Sequence, residues 1–373
     1  MPVSDFIATI EANGQIYSAW ESVRVERVYG DFSVFEFTPT EGAYGTNFSQ
    51  LVLVPGVPVT INLGGVQVIN GFVTNRSVSY DAKSHQVVIA GKSKIEHLRK
   101  SSVVVKPGTY DGYTFEQAAR AVMAPHPVNS IMKNAPSIAS KPFANLAVQY
   151  GETCAEFIQR IAIMRGLFIW DDTNGNLCAG AADNGVVADL VEGQNILRAT
   201  LTWNNQLSMS VWKTTGQQPG TDNNWPPRAI SATATNSSYP SNWFSLSLAE
   251  HPGDATDMAA RVNWDQAITA QTELRVAVTV VGWKKDDGTL WEMGDGVTLL
   301  SPMLFPTQNS AVTLYAQSVV YEQDANGTTT TLNLVVKAGL HGAPFNDVPD
   351  VSGANLPQPP SPATPDEPDW RAG

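Results

Sequence analysis

Apolar and polar residues alternate with a period of two through most of the stretch from Gln15 to Gly91. Val23/Val25, Phe35/Phe37, Val59/Ile61/Leu63, Val66/Val68, Val78/Tyr80 and Val87/Ile89 each put apolar side chains on one face. That period matches the pleat of a strand, so these runs predict half-buried β-strands. Gly30-Asp31 and Gly64-Gly65 separate such runs. The glycine pair suits a two-residue hairpin, whose backbone needs the positive φ that a residue without Cβ adopts freely. Residues 1–97 are therefore expected to form an antiparallel barrel.

The period changes after Leu98. Thr114-Phe115-Glu116-Gln117 and Thr153-Cys154-Ala155-Glu156 both fit a capping box, in which a threonine side chain and the side chain three positions on satisfy each other's orphan amides. Phe157, Ile158, Ile161 and Met164 then recur at helical spacing, and Gly166 supplies a C-terminal stop. Leu167 to Trp170, a turn from Asp171 to Asn176, and Leu177 to Ala179 predict a hairpin. Residues 98–188 are expected to be a small α/β domain. Strands resume from Leu197 to Val211, and Gln217 to Asn242 is a long polar loop containing Pro226-Pro227. Asp254 caps a helix running to about Thr272, after which Leu274 to Val280, Val297/Leu299, Val312/Leu314 and Leu332/Leu334/Val336 predict more sheet. Residues 189–340 are thus expected to be a second barrel, with an inserted loop and helix at about 214–272.

Two short segments recur in order. Val59-Thr60-Ile61 after Pro55-Gly56 matches Val297-Thr298-Leu299 after Asp295-Gly296, and Ser77 to Tyr80 matches Ser318 to Tyr321. The near-constant separation is what two related barrels would give. The expected fold class is therefore mainly β with an α/β insert: two related antiparallel barrel domains plus smaller α/β domains.

Composition sharpens the ends of this picture. Residues 341–373 hold 8 of the 24 prolines, five acids and one arginine, too little apolar surface for a core. A proline-rich strap loses little entropy on docking, so Pro357, Pro359, Pro360, Pro362 and the anchor Trp370 are the expected partner-binding residues of an acidic tail. The net charge is -12, of which that tail carries -4 and the rest -8. An acidic body argues against a stable grip on nucleic acid. The amino terminus lacks the pattern of a secretory signal, and no run of 18 apolar residues occurs, so a soluble chain made in the cytoplasm without stable membrane binding is expected. With only Cys154 and Cys178, neither a disulfide scaffold nor a four-cysteine zinc site can be built, and both read as small buried hydrophobes.

Candidate chemistry is sparse. Five histidines lie at 85, 97, 126, 251 and 341 without zinc-binding spacing. Asp171-Asp172 and Asp286-Asp287 are carboxylate pairs of a kind that could cleave a glycoside, yet each abuts a Gly/Asn turn. Neither a nucleophile elbow nor a phosphate loop occurs, and Gly91-Lys92-Ser93 lacks the upstream glycine. The ten tryptophans, dispersed from Trp20 to Trp370, suit cores better than a sugar-stacking platform. No catalytic residue, cofactor or metal is expected. A tail-associated cell-wall hydrolase and a glycan-binding adhesin stay open as alternatives.

The order of elements carries a resemblance. Val54-Pro55-Gly56, Gly64-Gly65 and Gly71-Phe72-Val73 come first, followed by Tyr80-Asp81 and His85 to Ser93. Gly151-Glu152-Thr153 with Phe157-Ile158, Glu192 to Leu197, and Trp283 with Asp287-Gly288 and Leu290-Trp291 complete the series. Over residues 10–340 this succession resembles the baseplate hub proteins of Mu-like contractile phage tails, and more distantly the hub part of VgrG proteins of type VI secretion. The resemblance implies a non-enzymatic homotrimeric ring in the virion, at the end of the tail tube. It would be plugged by a central spike protein and held by baseplate wedge proteins, with DNA only in transit. Residues 341–373 carry no motif of that family.

Overall fold

A computed structural model describes residues 6–39, 53–81, 85–104, 108–218, 228–305 and 311–341. Seven strands make the first sheet unit: β1 (Ala8–Ala12), β2 (Gln15–Tyr17), β3 (Trp20–Val28), β4 (Val34–Pro39), β5 (Pro58–Leu63), β6 (Val66–Tyr80) and β7 (His85–Ser93). They lie in the order β2-β1-β5-β6-β7-β4-β3, with every neighbouring pair antiparallel. The alternation sets the faces, so that Val23, Val25, Phe35, Phe37, Val59, Ile61 and Ile89 share one buried cluster. Gly64 and Gly65, at φ of 53° and 79°, turn the β5–β6 hairpin as their lack of Cβ permits. A Cβ on Gly71 would lie 2.0 Å from the Lys92 carbonyl oxygen, so only glycine lets β6 and β7 approach there.

The α/β unit follows with α1 (Glu96–Lys100), α2 (Phe115–Met123), β8 (Ser130–Lys133), α3 (Cys154–Ile163), β9 (Phe168–Asp171) and β10 (Leu177–Gly180). Both expected capping boxes form, at Thr114/Gln117 and at Thr153/Glu156. The apolar faces of α2 and α3 meet through Phe115, Val122, Phe157, Ile158 and Ile161, all fully buried, with Cys154 in the same cluster. Between β8, parallel to it, and β9, antiparallel, β10 is the middle strand.

Next come β11 (Val186–Val191) and β12 (Arg198–Trp203), then β13 (Val211–Gln218), β14 (Arg228–Thr235) and β15 (Phe244–Leu248). The chain continues through α4 (Ala255–Glu273), β16 (Leu274–Val281), β17 (Gly296–Leu300), β18 (Val312–Asp324), β19 (Gly327–Val335) and α5 (Ala338–His341). The insert is a three-stranded sheet, β14-β13-β15, packed on α4. Here the expectation of a loop from Gln217 to Asn242 fails, because Arg228–Thr235 is a strand. Its Ala, Ser and Thr residues alternate with too little hydrophobic contrast to announce a period. The expected strand from Leu197 to Val211 also divides, into β12 and the start of β13.

Barrel closure is the other departure. Among the described residues no pairing closes either half on itself, and β18 pairs with β3 so that both halves join one 13-stranded sheet. Period-two alternation specifies a sheet with one buried face, and is the same whether its end strands meet each other or a third strand.

Candidate functional site: the seam between two like sheets

The second half of the big sheet repeats the first. Strands β1-β5-β6-β7-β4-β3 lie side by side in one unit and β11-β17-β18-β19-β16-β12 in the other. Numbered along the chain, each set reads first, fourth, fifth, sixth, third, second. A β-bulge after Val73, where β6 faces β7, has its counterpart after Ala316, where β18 faces β19. Aligning the bulges places Asn75 on Ser318 and Ala90 on Asn333. The pair Pro58–Phe72 then falls on Gly296–Tyr315 and Val59-Thr60-Ile61 on Val297-Thr298-Leu299. The second matched tetrapeptide is two residues out of structural register, since Ser77 falls on Val320. One sense differs: β1 runs antiparallel to β5, whereas β11 runs parallel to β17.

The seam is the antiparallel ladder from Ser318↔Val28 to Gln323↔Val23. Tyr321 and Val25 meet there fully buried, and the Tyr321 hydroxyl donates to the Trp291 carbonyl. Burial pushes that phenol's pKa upward. Trp283 Nε1 donates to the Glu322 carbonyl at 3.2 Å, and Arg24 forms ion pairs with Glu322 and with Glu26. Arg27, 5% exposed, extends from the seam toward Asp171.

Asp171 itself corrects the turn expectation. It ends β9 with no exposed surface, and one carboxylate oxygen accepts from both the Ser33 amide and the Ser33 hydroxyl at 2.9 Å. Burial raises its pKa, opposed by Arg27 and the hydrogen bonds. Closed off in this way, it ties the α/β unit to the sheet and cannot reach a substrate. Asp172 does stand in the turn, accepting from the Asn174 and Asn176 amides at 2.9 and 2.7 Å. Asp287 accepts from the Thr289 amide and hydroxyl, and these bonds hold its pKa below the usual value. No group of three or more metal-binding side chains occurs among the described residues. Trp170, Trp212, Trp283 and Trp291 are buried, and Trp203 alone of the described tryptophans is exposed, so they form no common stacking platform. Pro357, Pro359, Pro360, Pro362 and Trp370 lie outside the described residues.

Residues 8–93 match the family described as Mu phage baseplate assembly protein GpP-like, N-terminal. Residues 96–181 match the second domain of the baseplate hub protein gp44-like family. The baseplate hub protein gp44 of Escherichia phage Mu is 24% identical over 342 residues, covering 89% of this chain and 88% of that protein. Over most of its length the chain is similar to the Mu-like baseplate hub proteins. Solved structures agree in fold. The 43 kDa tail protein of prophage MuSo2 from Shewanella oneidensis has a TM-score of 0.75 at 22% identity, covering 90% of this chain and 99% of that one. A tail protein of Neisseria meningitidis MC58 has a TM-score of 0.74 at 18% identity, covering 90% and 98%. A component of the E. coli type VI secretion system, described as similar to T4 tail proteins gp27 and gp5, reaches 0.55 at 10% identity, covering 91% and 80%.

The residues that sequence reasoning missed are those of the seam and of one buried ion cluster. Arg165, fully buried with its guanidinium 3.9 Å from the Phe143 ring centroid, pairs with Asp257, which also binds Lys141 at 2.9 Å. The cluster pins α4 to the α/β unit. An arginine just before the Gly166 stop is the only sequence signal it had.

Proposed function

We propose that three copies of this chain close into a ring that adapts a six-fold tail tube to a three-fold central spike and lets DNA pass. The observation carrying this reading is the repeated strand order, because a trimer of a duplicated unit presents six like surfaces about one axis. Direct docking of a three-fold body on a six-fold one would leave half the tube subunits without equivalent contacts. The acidic body supports passage without retention, since like charge repels phosphate.

In this reading the hub is structural and carries no catalytic site. The chain divides at about residues 97, 188 and 340, with the second sheet unit interrupted by its insert. Wedge and spike proteins are its neighbours in the virion, and the tail of residues 341–373 straps one of them through Trp370 and the prolines from Pro357 to Pro362. Native mass measurement tests the ring: three times the 40.1 kDa chain is expected, alone or with the spike protein. A single-chain mass under both conditions contradicts it.

A further inference from the structure

An open cleft of about 280 Å³ lies where three parts of the fold meet. Tyr29, from the turn after β3, forms one wall; Ile163 of α3 with Leu167 and Phe168 at the start of β9 form the second; Trp264 and Ile268 of α4 form the third. Its floor is the buried cluster that holds Tyr29, Phe168 and Leu340, and against that cluster Trp264 and Ile268 pack while only half-buried. Ile163 is half-buried too. A cleft of this size falls just under the range of about 300–1,000 Å³ that suits small-molecule ligands, and it suits one or two apolar side chains instead.

Two of the lining side chains also fix where the chain goes next. The Tyr29 hydroxyl donates to the Leu340 carbonyl at 2.6 Å, and Gln271 Nε2, on the α4 wall, donates to the Gly339 carbonyl at 2.5 Å. The last turn of α5 is thereby held against the cleft, and the residues that follow His341 are Gly342-Ala343-Pro344-Phe345-Asn346-Asp347-Val348-Pro349. Phe345 is the first large apolar side chain after α5. Five extended residues span about 17 Å, and Tyr29 touches both Leu340 and the cleft, so Phe345 is within reach of every wall. Trp264 supplies a second sign of a missing occupant, because its Nε1 is buried with no hydrogen-bond partner among the described residues. A donor so placed is costly until a carbonyl oxygen meets it.

We infer that residues 342–349 of the same chain fold back over this cleft, with the Phe345 ring seated against Phe168 and Trp264. Aromatic rings pack well edge-to-face or offset, and the two wall rings already lie tilted at 31° with centroids 6.0 Å apart. Gly342 gives the backbone freedom to turn back after α5, and Pro344 narrows the conformations open to the undocked segment, so less entropy is lost when Phe345 docks. A backbone carbonyl of the segment accepts from Trp264 Nε1, while Asn346 and Asp347 stay on the solvent side. The docked segment bridges the first sheet, the α/β unit and α4 at the point where they converge. It also gives the remaining residues up to Gly373 a fixed root, so a strap reaching a neighbour through Trp370 starts from one place on the body. That last consequence rests on the tail's proposed role; the contact in the cleft does not.

The test is fluorine NMR on the full chain with 4-fluorophenylalanine at position 345 alone, which keeps the ring that docks. A soluble paramagnetic probe reports its exposure, with the same label at Phe244, 66% exposed on β15, as the reference. With docked copies outnumbering undocked ones, relaxation of the label at 345 is expected to be enhanced about ten-fold less than at 244. Its resonance is expected to lie away from the denatured-chain position, shifted by the rings of Phe168 and Trp264. Ile163→Asp puts a charge on the cleft wall and is expected to return the label at 345 to full exposure. If that variant unfolds, the comparison of 345 with 244 in the otherwise unaltered chain still decides. Equal exposure at the two positions overturns the inference, and so does protection at 345 that a folded Ile163→Asp variant leaves intact. A label at Trp370 that is protected while the one at 345 is exposed also overturns it, because a different part of the tail then fills the cleft. Protection at 345 that appears only after a neighbouring tail protein is added overturns docking within the chain and moves the contact to the assembly.

Discussion

His251 shows how one buried side chain sets a pH limit on the fold. It is 7% exposed, its ring meets Phe143 edge-on at 5.0 Å, and Nδ1 lies 2.8 Å from the Pro252 carbonyl oxygen. Burial lowers its pKa from 6.5 to about 4; the Pro252 bond opposes this, Arg165 and Arg160 add repulsion, and Asp257 partly offsets them. The folded value lies below the unfolded one, so neutral His251 favours the fold above pH 6.5, and that contribution is lost as the pH falls through about 4. Denaturant titrations of His251→Gln are expected to lose ~3 kcal/mol less stability than the unaltered chain between those limits. Parallel pH profiles would contradict this. Arg165 is a separate case, because truncating it strands the Asp257 carboxylate with Lys141 as its remaining counterion. Arg165→Ala is expected to cost ~3 kcal/mol, read as a lower denaturation midpoint, while Arg120→Ala, in an exposed pair, costs under ~1 kcal/mol.

Elements that depend on neighbours in sequence were the legible ones. The Thr153/Glu156 box, the Gly64-Gly65 hairpin and the Gly166 stop each work within a few residues, so residue type alone announces them. Thr153→Ala is expected to cost ~1 kcal/mol, because it leaves the Glu156 amide without its acceptor. Gly71→Ala is expected to cost well over the ~1 kcal/mol typical of glycine in a strand, since its Cβ meets the backbone of β7 rather than a side chain that can move. Thermal melting of both variants checks the order. What stayed hidden depends on distant partners. Nothing near Asp171 in sequence says that Ser33 will cap its carboxylate, and β14 is a strand because β13 pairs along its whole length rather than because of its own pattern.

At the scale of the whole molecule, duplication was readable from Val59 to Ile61 and Val297 to Leu299, whereas its register was not. The bulges after Val73 and Ala316 hold equivalent places in the two units, and the tetrapeptide match of Ser77 with Ser318 lies two residues off the register that they define, which only the pairing reveals. The net charge of -12 makes a further expectation: duplex DNA should not be retained by the purified protein at physiological salt. Retention that weakens steeply with added salt would reveal a basic lining that the totals conceal. The seam also bears on how the protein is made. Arg24 and Glu322 meet across 298 residues of chain, so β3 emerges from the ribosome long before its partner exists. Until Ser318 to Gln323 have been synthesised, the nascent sheet keeps an open flank beside β3, and pairing so distant in sequence forms slowly. A chain terminated after Leu300 is expected to aggregate through that flank, and co-expression of residues 311–341 as a separate peptide to relieve it. Synthesis therefore carries its own timing device: the last strands to appear are the ones that finish the first sheet.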